Sequence, residues 1–123
     1  MREQYKIGSH AKMRMTQRNI PLLWVQKAFK HGARRNGRVN TNTIRISFGK
    51  NRCQLAIDDI IDNVAERDSI ETETFLEISD AVDSLKELKK LGGLEIIFND
   101  QIKEVVTLYT TNDNIKRSQF NVY

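Results

Sequence analysis

Apolar residues in this chain recur at two spacings, and the order of the spacings limits the folds that it can adopt. Apolar residues three or four positions apart, as in helices, occupy about 10–31 and 58–91. Apolar residues that alternate with polar ones, as in half-buried strands, occupy about 44–57 and 94–109. We therefore expect an α+β fold in which two N-terminal helices pack on a four-stranded, mostly antiparallel sheet.

Capping residues set the limits of the two N-terminal helices. Ser9 can cap a helix over residues 10–18, and Asn19 is suited to a left-handed end. Pro21 begins the second helix, which ends at Gly32. Trp24 lies on the apolar stripe of this second helix, and we expect a core residue there more than a platform for stacking bases.

Two hairpins should supply the sheet. The expected strands are, in chain order, 44–48, 53–57, 94–98 and 105–109. In the first pair the turn is Gly49-Lys50-Asn51, and Cys53 is interpreted as a small core residue of the second strand. Residues 33–43 have no apolar period, which predicts an exposed basic loop.

An acidic block separates the two hairpins. Residues 58–87 hold 11 acidic and two basic side chains, and we interpret 58–91 as an acidic helical insertion in a single domain spanning 1–123. Asp58, Asp59 and Asp62 could ligate Mg²⁺, although acidic residues are also favoured by the dipole of a first helical turn. We predict no metal site and no cofactor.

The charge of the chain is divided between its two parts. The formal charge is +4, but residues 1–55 hold 13 basic residues and one acidic residue, whereas residues 56–123 hold 7 and 15. Such a division favours a polyanion or an acidic partner for the first part.

Composition excludes several other classes of protein. The 39% of hydrophobic residues is too high for a disordered chain. No run approaches the roughly 20 apolar residues of a membrane span, and the polar start does not resemble a secretory signal. One cysteine excludes an internal disulfide bond. We expect a cytoplasmic protein that does not enter the membrane.

The first helix carries a group of residues suited to phosphodiester chemistry. His10, Arg14 and Arg18 are four residues apart and share one edge of the helix, with Gln17 beside them. An imidazole can move a proton, while guanidinium groups can hold a phosphate and offset its charge. The alternative interpretation is an exposed basic face that only contacts phosphate or forms salt bridges.

The expected sheet would place polar side chains on the face away from the core. Alternation assigns Arg45, Ser47, Arg52 and Gln54 to this face, and Thr107 and Tyr109 join it from the last strand. It could contact phosphate, or it could simply be a solvated sheet face. The residues expected to bind nucleic acid are Lys12, Arg34, Arg35, Arg38, Arg45, Ser47 and Arg52.

Two segments resemble a bacterial domain family of unknown function. Residues 9–20 read S-H-A-K-M-R-M-T-Q-R-N-I and residues 105–109 read V-V-T-L-Y. The family pattern is S-x-H-A-x-x-R-M-x-x-R-x-I with a closing V-V-T-x-Y strand, although here the serine directly precedes the histidine. The family is grouped with the barnase, colicin-tRNase and RelE-type toxin fold, in which helices pack on an antiparallel sheet.

The resemblance implies metal-independent cleavage of RNA. Its recurring polar residues correspond to His10, Arg14, Arg18, Thr107 and Tyr109 in this sequence. In such an endoribonuclease of the toxin type, the ribose 2′-OH attacks the adjacent phosphate, with His10 as acid or base and the arginines holding the phosphate. Thr107 or Tyr109 would position the phosphate or assist proton transfer. An antitoxin or immunity protein would be a fitting partner.

Two alternatives from other classes remain open. The same residues could belong to a non-catalytic nucleic-acid-binding or regulatory module, which would only neutralise phosphates. The chain could instead be a protein-interaction domain that uses its acidic helices. The sequence gives no oligomeric state and no RNA cleavage specificity.

Overall fold

The computed structural model describes residues 4–36, 42–67 and 69–112, and they form an α+β fold of four helices and five strands. The elements are, in chain order, β1 (Lys6–Ile7), α1 (Ser9–Arg18), α2 (Leu22–His31), β2 (Ala33–Asn36), β3 (Thr43–Gly49), α3 (Lys50–Ala65), α4 (Thr72–Lys90), β4 (Gly93–Asn99) and β5 (Glu104–Thr110). Within these ranges no helix combines the length and the apolar character needed to cross a membrane.

The five strands form one mixed sheet in the order β1-β5-β4-β3-β2. The pair β1–β5 is parallel, and the other three pairs are antiparallel. The expected helix-first, four-stranded antiparallel arrangement is therefore wrong. Both edge strands were missed because β1 has only two residues and because β2 ends in Arg34, Arg35 and Asn36, without the alternation of a half-buried strand.

The predicted hairpin of residues 44–57 is also wrong, because α3 begins directly after β3. Gly49 is the N-cap, and Cys53, Ala56 and Ile57 are the buried residues of α3. Cys53, Ala56 and Ile57 are three positions and one position apart, which places them on one face of a helix. Cys53 and Ile57 alone also fit the alternation of a strand, so the pattern is ambiguous. Leu55, which strict alternation placed inside, is 54% exposed.

The acidic segment contributes side chains to the core of the fold. Leu85 and Leu88 of α4 are fully buried, and α4 packs on β4 and α3. Trp24 of α2 donates a hydrogen bond of 2.8 Å from Nε1 to Oγ of Ser84 on α4. The helical character predicted for this segment is correct, since it comprises the end of α3 and the whole of α4.

The N-terminal helices follow the predicted limits closely. Asn19 adopts a left-handed conformation with φ of 53°, and Pro21 is the N-cap of α2. Ser9 is the first helical residue, so that Gly8 and not Ser9 occupies the cap. Trp24 is 5% exposed, which makes it a core residue as expected.

The helices pack on one face of the sheet, and none of the described elements packs on the opposite face. Ile46, Phe48, Ile96, Phe98 and Leu108 are buried on the covered face. Since side chains alternate along a strand, their neighbours point to the opposite side, which we call the outer face. The outer-face side chains used below are Arg35 on β2, Arg45 and Ser47 on β3, Glu95 and Ile97 on β4, and Thr107 and Tyr109 on β5.

Candidate functional site

Strand register arranges the outer face in two adjacent rows of side chains. In the first row Arg35 lies opposite Arg45, Arg45 opposite Ile97, and Ile97 opposite Thr107. In the second row Ser47 lies opposite Glu95, which lies opposite Tyr109. Four strands therefore contribute polar side chains to one continuous surface.

Arg45 joins the two rows. Its Nη2 donates a hydrogen bond of 2.6 Å to the hydroxyl of Tyr109, and its Nε lies 3.7 Å from Oε2 of Glu95. Tyr109 is on β5, so the guanidinium group of Arg45 extends across the intervening strand β4. The side chain of Arg45 is 44% exposed, which leaves part of its cationic group accessible from solvent.

Glu95 is held from a second side by Ser47. The hydroxyl of Ser47 donates a hydrogen bond of 2.8 Å to Oε2 of Glu95, and Nη2 of Arg35 donates one of 3.2 Å to the same hydroxyl. The side chain of Glu95 is only 21% exposed. The contacts of Glu95 with Ser47 and Arg45 both involve Oε2, so Oε1 of the carboxylate is not engaged by them.

This arrangement combines three chemical capacities. Two guanidinium groups can bind a phosphate through planar N–H donors, since arginine matches phosphate geometry. The carboxylate of Glu95 can accept a proton. The hydroxyl of Tyr109 accepts its hydrogen bond from Arg45, and its own O–H therefore remains a donor for another group.

The α1 residues expected to share this site lie in a different layer. Ala11 of α1 is fully buried in the core to which Leu108 belongs, and α1 packs on β5 from that side. Thr107 and Tyr109 flank Leu108 and face the opposite way. His10 is exposed on α1, while Arg14 and Arg18 are partly buried there. The structure groups Tyr109 with Arg45 and Glu95 on the other side of the sheet.

The residues expected to bind nucleic acid divide in the same way. Arg35, Arg45 and Ser47 belong to the outer face, whereas Lys12 is exposed on α1. Arg34 faces the helices, where Nη2 donates to the carbonyl of Phe29 at 3.3 Å and the guanidinium group lies 5.8 Å from the ring centroid. Arg38 lies outside the described residues.

Arg52 is the one member of this group whose placement on the sheet is wrong. It belongs to α3, with Gln54, and its Nη1 donates to the carbonyl of His31 at 3.1 Å. The error follows directly from the interpretation of residues 53–57 as a strand. Arg52 therefore links α3 to α2 and makes no contribution to the outer face.

Glu95 belongs to this candidate site but was not among the residues predicted from the sequence. The predicted site was built from basic residues and hydroxyl groups, and the acidic residues considered were those of the helical block. A signal was present, since Glu95 stands between the apolar residues Leu94 and Ile96 of an alternating strand. The same alternation that placed Tyr109 on the polar face would have placed a carboxylate there.

Two of the three aspartates at the start of the acidic block, Asp58 and Asp59, have structural partners. Asp58 accepts a hydrogen bond of 2.9 Å from Nε2 of Gln54. Asp59 pairs with Nζ of Lys30 at 3.2 Å, and this hydrogen bond lowers the pKa of Asp59. Across the described ranges, no three His, Cys, Asp or Glu side chains are grouped in a way that could hold a metal ion.

Cys53 is a core residue, in agreement with its interpretation from the sequence. It is fully buried, and burial raises the pKa of its thiol to about 11. The thiol therefore stays protonated at neutral pH and is a poor nucleophile.

Comparison with known proteins adds no functional assignment. No protein-family model, no curated protein and no solved structure matches this chain. The resemblance to the toxin-type family described above therefore stays a prediction, and the function is inferred from the geometry of the outer face.

Proposed function

We propose that this protein is a metal-independent endoribonuclease whose active site is the outer face of the sheet. The observation that supports this proposal is the position of Arg45, which is hydrogen-bonded to Tyr109 and lies 3.7 Å from Glu95. A cation, a proton acceptor and a hydroxyl donor thus meet on an accessible surface. A cytoplasmic location is part of the proposal, since it would give access to cellular RNA.

The pairing of Arg35 with Arg45 supports anion binding. These residues lie directly opposite each other on β2 and β3. Like charges in that position destabilise a sheet, so the pair is difficult to explain as a stabilising feature. A phosphate group bound between the two guanidinium groups would offset their repulsion.

The contacts of Glu95 are also difficult to explain by their contribution to the stability of the fold. The pair formed by Arg45 and Glu95 is partly exposed, and an exposed ion pair contributes about 0–1 kcal/mol to the free energy of unfolding. Ser47 also holds the carboxylate of Glu95, and Arg35 in turn holds the hydroxyl of Ser47. Positioning of a reactive carboxylate is a better explanation for this arrangement.

In the proposed reaction, Glu95 is the base and Tyr109 the acid. The carboxylate of Glu95 takes the proton of the ribose 2′-OH as that oxygen forms a bond to phosphorus. The bond between phosphorus and the 5′-oxygen breaks, and Tyr109 gives its proton to this oxygen. Arg35 and Arg45 offset the negative charge that develops on the phosphate. The products are a 2′,3′-cyclic phosphate and a 5′-hydroxyl, and solvent returns Glu95 and Tyr109 to their starting protonation.

The proposal moves the main catalytic roles from α1 to the sheet. Glu95 takes the role of proton acceptor that was expected of His10, and Arg35 and Arg45 take the role expected of Arg14 and Arg18. The basic residues of α1 lie on the helical side of the sheet and are not needed for the chemistry at the outer face. A His10→Ala variant distinguishes the two arrangements.

The direct test is an RNase assay of the wild type and Glu95→Gln with a chelator present. Gln keeps the size of the side chain and an acceptor oxygen, but it is not a base. We expect the rate of cleavage to fall by about 10²- to 10⁴-fold, with RNA affinity retained. Glu87→Gln, at an exposed position on α4, is the matched control and should cleave like the wild type.

Two results would contradict the proposal. Undiminished cleavage by Glu95→Gln would remove Glu95 from the reaction. RNA that binds to the wild type but stays intact over long incubation would favour a non-catalytic nucleic-acid-binding module.

A further inference from the structure

A polar groove lies at the end of the sheet, where β2 ends and β3 begins. Its volume is about 550 Å³, which falls in the range of sites for small organic ligands. The described residues that line it are Asn36, Asn42, Thr43, Ile44, Asp100 and Gln101. None of the roles assigned above uses this groove.

Two amide side chains are fixed against each other in the groove. Nδ2 of Asn42 donates a hydrogen bond of 2.9 Å to Oε1 of Gln101. The backbone supports both residues, because the N–H of Asp100 donates to the carbonyl of Asn42 at 2.9 Å and the N–H of Gln101 donates to Oδ1 of Asn99 at 3.0 Å. Backbone hydrogen bonds therefore fix the positions of both residues of the amide pair.

The contact between the two amides leaves one acceptor and one donor for a ligand. It uses the amino group of Asn42 and the carbonyl oxygen of Gln101. Oδ1 of Asn42 and the Nε2 amino group of Gln101 are not consumed by it. The groove thus presents an adjacent acceptor and donor, the combination that reads the edge of a nucleobase.

The charge of the groove favours a neutral ligand over a phosphate. Asp100 is the charged residue among the lining residues, and its carboxylate pairs with Nζ of Lys103 at 2.5 Å. Ile44 adds an apolar surface, against which a flat ring can pack. An anion would find no cationic lining residue among those described, whereas a base would find amides and an apolar contact.

The groove adjoins the arginines that are proposed to bind phosphate. Thr43 precedes Arg45 by two residues on the same face of β3, roughly 7 Å along the strand, whereas Asn36 and Ile44 point to the covered side and line the groove at the end of the sheet. A distance of this size separates the phosphate of a nucleotide from its own base. A nucleotide whose phosphate lies at the arginine pair can therefore reach the groove past Thr43, around the end of the sheet.

We propose that the groove binds the base of the nucleotide whose phosphate lies between Arg35 and Arg45, with adenine as the best match. The N6 amino group of adenine would donate to Oδ1 of Asn42, and N7 would accept from Nε2 of Gln101. This inference rests on the proposed function of the outer face, but it concerns which RNA is bound and not whether it is cut.

The test measures binding and cleavage of three labelled single-stranded RNAs, oligo-A, oligo-C and oligo-U, at low salt. We expect the wild type to bind oligo-A about tenfold more tightly than oligo-U. In Gln101→Ala this preference should fall below about twofold, with the affinity for oligo-U unchanged. Gln26→Ala, at an exposed position on α2, is the control and should keep the preference.

The outcomes separate this inference from the proposed reaction. Cleavage of all three RNAs with no base preference would contradict base binding by the groove and leave the ribonuclease proposal intact. A preference that depends on Gln101, in RNA that is bound but not cut, would support the groove and contradict the reaction. A preference that persists in Gln101→Ala would contradict base binding by the groove. Absence of RNA binding would contradict both base binding by the groove and RNA cleavage at the outer face.

Discussion

Arg45 donates a hydrogen bond of 2.6 Å to the hydroxyl of Tyr109, although a whole strand separates the two residues in the sheet. Glu95 lies on that intervening strand, with Oε2 3.7 Å from Nε of Arg45. Three strands must therefore pair in the observed register before the three side chains can meet. A shift of one residue in β4 would turn Glu95 toward the core, so the site depends on register as much as on residue type.

Removal of Arg45 should weaken RNA binding in a way that salt dependence can identify. We expect Arg45→Ala to bind single-stranded RNA about tenfold more weakly and to lower the slope of log affinity against log salt by about 0.7, as expected for one lost phosphate contact. Lys86→Ala, at an exposed position on α4, should leave the slope unchanged. An unchanged slope in Arg45→Ala would mean that Arg45 does not contact phosphate.

Replacement of His10 tests whether α1 takes part in the chemistry. His10 is exposed on a helix that packs on the covered side of β5, whereas Tyr109 faces the outer side. We therefore expect His10→Ala to cleave RNA within about threefold of the wild-type rate. A large loss of cleavage, with an unchanged far-UV circular dichroism spectrum, would return the proton-transfer role to His10 and contradict the assignment of Glu95.

Truncation of Leu88 should show that the acidic segment is required for the fold. Leu88 is fully buried between α4 and the rest of the core, so Leu88→Ala should lower the free energy of unfolding by about 2–5 kcal/mol in urea titrations. Leu76 on the same helix is 56% exposed, and Leu76→Ala should change it by less than about 1 kcal/mol. Equal effects of the two substitutions would mean that α4 does not pack as described.

Acidification should destabilise the protein through His31. The side chain of His31 is 17% exposed, and its Nε2 lies 3.7 Å from Oδ2 of Asp59. Burial lowers the pKa of His31 below its ordinary value of 6.5 and outweighs the opposing effect of Asp59; Lys30 and Lys27 lower it further. Below pH 6.5 the unfolded chain therefore binds more protons at this position than the folded one, and stability falls as the pH falls.

The measurement is the free energy of unfolding between pH 8 and pH 5 for the wild type and His31→Gln. The wild type should lose stability as the pH falls below 6.5, and His31→Gln should lose less over the same interval. The Asp59 carboxyl, whose pKa the hydrogen bond from Lys30 lowers from 3.8, adds its own loss only at more acidic pH. Parallel curves for the two proteins would contradict the role of His31.

The parts of the fold predictable from the sequence are those with one dominant pattern. The apolar stripe around Trp24 correctly predicted the second helix, and alternation around Ile46 and Ile96 correctly predicted two central strands. The prediction for the segment after Gly49 was wrong because the spacing of Cys53 and Ile57 fits a strand and a helix equally. Only the burial of Ala56 and the exposure of Leu55 distinguish the helix from the strand. Such an ambiguity is resolved by tertiary packing, which one sequence does not display.

Only part of the candidate site could be predicted from the sequence, because only part of it depends on a local pattern. Arg45, Ser47 and Tyr109 were placed on one polar face because alternation along a strand is a local property. Their contact with Glu95 depends on which strands are neighbours, and the predicted hairpin paired β3 with the wrong segment. The grouping of His10 with Tyr109 came from a family resemblance, and it did not anticipate that the sheet lies between them.

The most direct test of the central claim compares two oligonucleotides of identical sequence, one of RNA and one with 2′-O-methyl groups. Glu95 is proposed to remove the proton of the 2′-OH, and the methylated strand has no such proton. We predict that the wild type cuts the RNA to products with 2′,3′-cyclic phosphate ends and binds the methylated strand without cutting it. Cleavage of both strands, or of neither, would contradict the account.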